Sequence, residues 1–239
     1  MKSISIMWAQ GVTDTEARTA VATIRDIVKT VYDACFAEGV LLGPTQIRPF
    51  GNWVIPTIST GNPYGSAAWY METAFDAGRG QIVAPRFLEL VRREPWQAAN
   101  AHFDLAILDR DLADEPEKWF GLGHEPFVLG SVLPGTATVV SVFRLRDIAD
   151  LRVRMTVLRR LIVHNFGHVL EAPGADRTEE VAASSGERHC VNRCALRDVT
   201  TFDNLIEFAQ EERDASVSYC ARCRRDIMRA TLMQRFSRN

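Results

Sequence analysis

LIVHNFGHVLEAP, residues 161–173, closes a long helix that the sequence predicts over about 146–171. His164 and His168 stand four apart, so both imidazoles leave one helix face about one turn from each other. Two histidines at that spacing can reach one metal ion, as they do in H-E-x-x-H. The residue after the first histidine here is Asn165 rather than glutamate. In a chain with five histidines, a pair four apart arises by chance about one time in ten, so the pair needs a third ligand and a context.

His189, in the run ERHC, is the leading third ligand. Glu171, three residues after His168, and Asp176, farther on, are the acidic alternatives. Directly after His189 begins a cysteine pattern: Cys190-x3-Cys194, then Cys220-x2-Cys223. Two short cysteine pairs bracketing a helical stretch supply what a tetrahedral zinc–thiolate site requires. Such a site would clip the C-terminal helix to the histidine segment. The fifth cysteine, Cys35, stands alone in an early helix and reads as a small buried hydrophobe.

Working outward, Ile148, Leu151, Met155, Leu158, Ile162 and Val169 form the apolar stripe of the long helix. Upstream, SISIMWA (3–9) reads as a first strand, and Thr13 or Asp14 caps a helix with Glu16 near its start. TQIRPFGNWVIP (45–56) reads as a strand or hairpin arm, 61–65 as a loop, and 81–93 as an amphipathic helix. FDLAILD (103–109) is a strong strand that runs into an acidic loop with Asp109, Asp111, Asp114 and Glu115. FVLGSVL (127–133) and TATVVSVFRL (136–145) flank the turn Pro134-Gly135 as a hairpin. Residues 172–188 are small, polar and acidic and read as a flexible loop, with short helices expected near 200–214 and 221–236. The expected organisation is one compact domain, with an N-terminal part over 1–171 and a C-terminal part over 172–239.

The chain has 239 residues, 46% of them hydrophobic and 24% charged, and a net charge of -2, so no basic excess calls for a nucleic-acid partner. No apolar run approaches the roughly 18–20 residues that span a bilayer. The N-terminus has no small-residue cleavage site, so a cytoplasmic protein with reduced thiols and no membrane partner is expected.

HNFGHVLEAP (164–173), HCVNRCAL (189–196) and CARCRRDI (220–227) together resemble the archaemetzincins. That family has H-E-x-x-H-x-x-G-x-x-H ending in a histidine followed at once by cysteine, then C-x-M and a distal C-x-x-C. FDLAILDRDL (103–112) and VVSVFRL (139–145) look similar too, so the resemblance covers roughly residues 100–227. It implies an α+β, zincin-like fold: a mixed twisted sheet, a long active-site helix, and a small zinc-clipped helical subdomain. It also implies two zinc ions, one on His164, His168 and His189, the other on Cys190, Cys194, Cys220 and Cys223.

The chain departs from the family at the catalytic glutamate, here Asn165; at the turn glycine, here Glu171; and at the Met-turn methionine, here Leu196. About 15 extra residues also separate His168 from His189. Asparagine has no proton affinity near neutral pH, so Asn165 cannot serve as general base, a loss of about 10²–10⁴ in rate. The substrate expected is a peptide or small amide-like molecule. Either a carboxylate of the insert (Glu171, Glu179, Glu180 or Glu187) replaces the base, or Asn165 orients a substrate at a Lewis-acidic metal. The alternative is an inactive zinc protein of the same fold that binds a peptide or protein partner. The insert is also placed to cover a cleft.

Overall fold

The computed structural model describes residues 1–54, 61–115, 127–184, 187–214 and 218–236. Parts of the expected strand at 45–56 and of the strand starting at 127 adjoin or enter the undescribed stretches. The described residues group into two compact units: 2–18 with 46–147, and Met1 with 19–45 and 148–239. Both expected segments, 1–171 and 172–239, contribute to the second of these.

The first unit is built on a five-stranded mixed sheet, in the order β2 (Ile47–Gly51), β1 (Ile4–Trp8), β5 (Phe103–Leu108), β8 (Ala137–Ser141), β7 (Gly130–Leu133). β1 runs parallel to β2 and β5, β5 runs parallel to β8, and β7 closes the edge antiparallel to β8. All six residues of β5 are buried, as expected of a central strand covered on both faces. The β7–β8 hairpin turns at Pro134-Gly135, where Gly135 takes φ 71° and the Thr136 amide donates to the Leu133 carbonyl. The expected helix over 81–93 divides into strand β4 (Gln81–Val83) and helix α3 (Ala84–Arg92), because Pro85 favours the first helical turn and fixes its start. β4 lies between β3 (Phe75–Asp76) and β6 (Leu112–Ala113), the last of these a strand where an acidic loop was expected. Two short helices, α2 (Ala67–Ala74) and α4 (Pro95–Ala99), had no counterpart in the sequence reading. α1 (Asp14–Ala37) opens with a reciprocal cap: the Thr13 amide donates to Glu16 at 2.8 Å, and the Glu16 amide to Thr13 Oγ1 at 3.3 Å.

The second unit is organised by α5 (Leu151–Val169). It starts later than the periodicity suggests because the Asp150 carboxylate caps the Arg152 and Val153 amides, and a 3-10 turn occupies Arg144–Asp147. From Val157 onward α5 is buried almost all round, the behaviour of a helix enclosed by its neighbours. One enclosing element is α6 (Phe202–Asp214), joined to it by a buried ion pair between Arg160 Nε and Glu212 Oε2 at 3.3 Å. α7 (Ala221–Phe236) follows. Residues 181–184 and 187–190 correct the flexible-loop expectation: β9 (Val181–Ser184) and β10 (Glu187–Cys190) pair antiparallel. Cys35 is fully buried in α1. No helix among the described residues is long and apolar enough to cross a membrane.

Candidate metal centre

α5 delivers His164 and His168 from one face, and β10 brings His189 across to them. One ring nitrogen from each of the three lies within 4.8 Å of the others. The ring centroids stand 4.8 Å (His164–His168), 5.4 Å (His164–His189) and 5.1 Å (His168–His189) apart.

The hydrogen bonds fix which nitrogens face inward. His164 Nδ1 sits 2.7 Å from the Ala195 carbonyl, which can only accept, so Nδ1 carries the proton and Nε2 keeps its lone pair. His168 bonds the backbone at Ala172, and its Nε2 is buried without a partner. His189 leaves Nδ1 buried without a partner, while its Nε2 lies 3.8 Å from Glu187 and 3.9 Å from Asp198. Buried ring nitrogens without partners are costly unless something binds them. An outer carbonyl or carboxylate beside the opposite ring nitrogen is the usual support of a metal-ligating histidine. The donor set therefore fits a metal ion.

Burial holds the His164 and His168 rings neutral. Desolvation, then the neighbouring His168 ring, pushes the His164 pKa well below the usual imidazole value. Desolvation, then His189, lowers that of His168 to about 4. Neutral imidazole is the form that ligates metal.

Asn165, next to His164 in α5, is 6% exposed, with Nδ2 buried and unpartnered. Glu171 lies outside the group, exposed at φ 61° one residue beyond the helix cap. Asp176 is also exposed and reaches Arg229 at 3.5 Å. Of the insert carboxylates, Glu187 approaches His189, while Glu179 and Glu180 pair with Arg222.

Next along β10, Cys190 turns to the opposite side and meets Cys194, Cys220 and Cys223, whose sulfurs all lie within 4.8 Å of one another. Cys190 and Cys220 Sγ are 3.7 Å apart, far beyond a disulfide. That separation matches the edge of a tetrahedron with Zn–S bonds of about 2.3 Å. Cys223 lies in the first turn of α7 and Cys220 immediately precedes it, at the helix end whose dipole favours thiolate. Hydrogen bonding within the cluster, from Cys194 first, lowers the Cys190 pKa to about 6.

Several supporting residues carried no sequence signal. Arg177 is 9% exposed; it donates to Cys223 Sγ at 3.3 Å, Cys190 Sγ at 3.5 Å and Asp226 at 3.0 Å. Its guanidinium also donates to the Glu179 and Glu180 carbonyls. The insert thus sends a cation to the sulfur cluster, and its polar contacts reach both α7 and the segment around Cys190. Leu196 and Tyr219 pack on the α5 backbone at Gly167, with the Tyr219 hydroxyl donating to the Val163 carbonyl at 2.7 Å. Gly167, standing inside HNFGH, was the one hint in the sequence of so close an approach.

A crystal structure of archaemetzincin from Methanopyrus kandleri covers 96% of this chain and 95% of its own, with a TM-score of 0.54 at 18% identity. Archaemetzincin of Natronomonas pharaonis is 27% identical over 165 residues, spanning 65% of this chain and 76% of the relative. The chain is similar to the archaemetzincins. The solved structure, at 18% identity, speaks for the fold alone, and no family model matches the chain. The α+β fold with a mixed sheet and a long histidine-bearing helix, expected from the sequence, stands. Within this archaemetzincin-like frame, the residue after the first α5 histidine is the buried asparagine.

Proposed function

We propose that the chain is a two-zinc protein with a divergent, hydrolase-type centre that acts on a peptide or amide-like substrate. The carrying observation is the convergence of three imidazoles, two of them with buried unpartnered nitrogens, next in sequence to Asn165, whose Nδ2 is also buried and unpartnered. Under this reading His164, His168 and His189 hold one ion, and Cys190, Cys194, Cys220 and Cys223 hold a structural one. Zinc at the histidine site would supply Lewis acidity and a bound water acidified to a pKa of about 7.

The chain's own groups define the rest. Asn165 would donate from Nδ2 to an oxygen of the bound molecule, as an orienting contact; its lack of a partner within the chain supports this. It cannot take a proton, so ordinary proteolysis is expected to be slow. Glu187 lies at His189 Nε2, away from the unpartnered Nδ1, where it would orient the ring as a ligand rather than act as the base. The second reading, a non-catalytic zinc protein that binds a peptide, is favoured by the same asparagine.

Turnover of a peptide and amide panel by zinc-loaded protein separates the two. Activity that is lost in His164→Ala and raised about 10²–10⁴-fold in Asn165→Glu supports the hydrolase reading. No turnover by either the native or the Asn165→Glu protein, with metal content intact, would leave peptide binding as the function.

A further inference from the structure

The first unit holds another convergence of ligand-type side chains. Glu94, His102 and Asp104 are 1%, 7% and 2% exposed, and an atom from each lies within 4.8 Å of the others. Glu94 caps α4, His102 immediately precedes β5, and Asp104 is the second residue of β5.

His102 Nδ1 stands 2.8 Å from the Asn100 carbonyl. A carbonyl only accepts, so Nδ1 carries a proton and Nε2 is turned to the two carboxylates. It lies 3.4 Å from Asp104 Oδ2 and 3.9 Å from Glu94 Oε2. Both separations exceed the roughly 2.7–2.9 Å of a charge-assisted N–H···O bond. The shorter one matches the edge of a tetrahedron with zinc–ligand bonds of about 2.0–2.1 Å.

Outer contacts hold the three side chains. The Tyr70 hydroxyl donates to Glu94 Oε1, and Gln97 Nε2 donates to Asp104 Oδ2 at 2.5 Å and to the His102 carbonyl at 3.2 Å. Glu94 Oε2, the oxygen nearer the imidazole, is buried and has no hydrogen-bond partner. Ligands facing inward and braced from behind by a carbonyl, a hydroxyl and an amide are the pattern of a metal site. Two carboxylates this deeply buried are balanced either by a cation beside them or by bound protons.

We propose that Glu94, His102 and Asp104 bind a divalent first-row transition-metal ion of the zinc type, as a structural site separate from the histidine and cysteine groups. One such ion neutralises both carboxylates while His102 stays neutral. The imidazole donor makes magnesium or calcium a poor occupant. The ion would tie the start of α4 to the start of the central strand.

Anomalous diffraction from crystals of the native protein grown with zinc, recorded on both sides of the zinc edge, tests the site without any substitution. A peak among these three residues is expected. In parallel, Glu94→Gln and Asp104→Asn should each carry one metal equivalent fewer than the native protein, whereas Tyr70→Phe, which keeps all three ligands, should carry the full complement. His164→Ala would lose a different equivalent, so failure at one site is distinguishable from failure at the other. Absence of the peak, together with equal metal content in native and Glu94→Gln proteins, would overturn the proposal and leave protons as the balancing charge.

Discussion

At Gly167, between the two histidines of α5, an added Cβ would meet Leu196 Cδ2 at 2.7 Å and Tyr219 Cε1 at 2.9 Å. Gly167→Ala gains about 1 kcal/mol of helix propensity but overpacks a contact where insertions cost about 1–3 kcal/mol. A net loss of stability is expected in urea unfolding, with metal at the histidine group held less tightly. Arg177 has a different task. Four thiolates on one divalent ion leave a buried excess of negative charge, and its guanidinium donates to two of the sulfurs. Arg177→Leu should speed loss of metal to a competing chelator by about tenfold or more, since outer partners typically govern metal affinity by 10–100-fold. Arg177→Lys should recover only part, because an ammonium lacks the planar fork that spans both sulfurs. The histidines and cysteines were legible in the sequence because their side-chain chemistry declares itself. Arg177 was not, since an arginine in a polar stretch reads as solvated until the chain path carries it inward.

The start of α1 shows an element whose signal was complete in the sequence. T-x-x-E at 13–16 predicts a reciprocal cap, and the structure adds Arg146, which pairs with Glu16 at 2.9 Å. Burial alone would raise the Glu16 pKa, but hydrogen bonds from Arg146 and Thr13 outweigh it and hold the carboxyl below its ordinary value. A depressed folded-state pKa stabilises the fold above the unfolded value of about 4.3 and loses that contribution as pH falls through the folded one. Glu16→Gln should therefore cost about 1–3 kcal/mol at neutral pH and flatten the decline of stability below about pH 4.5, read from denaturation at stepped pH. The β9–β10 hairpin is the opposite case. VAAS and ERHC lack the β-branched and aromatic alternation that marks strands, and their pairing depends on partners brought by the rest of the unit. α2 and α4, at eight and five residues, are too short for a helical period to emerge.

For the whole molecule, the mixed sheet was legible because buried strands such as FDLAIL announce themselves, whereas which residues gather into each unit depends on distant contacts that no local pattern encodes. The two units should also respond differently to a chelator. Under the proposed assignment, Cys190, Cys194, Cys220 and Cys223 tie β10 and the turn after it to α7. Stripping the metal should release amide protection across 187–196 and 220–236, while β1 and β8, which carry none of the proposed ligands, stay protected in hydrogen-exchange mass spectrometry. Loss of protection in β8 at the same rate would contradict this. One feature of β10 reaches further. His189 and Cys190 are joined by a single peptide bond and, by the alternation of a strand, serve opposite neighbours. Filling the thiolate site would therefore hold His189 in place before any ion reaches the histidines. By thermodynamic reciprocity, an ion on the histidines would tighten the thiolate site by the same factor. The two occupancies then form a cooperative pair with an order of loading, so a cell short of metal would hold this protein chiefly as empty or doubly filled.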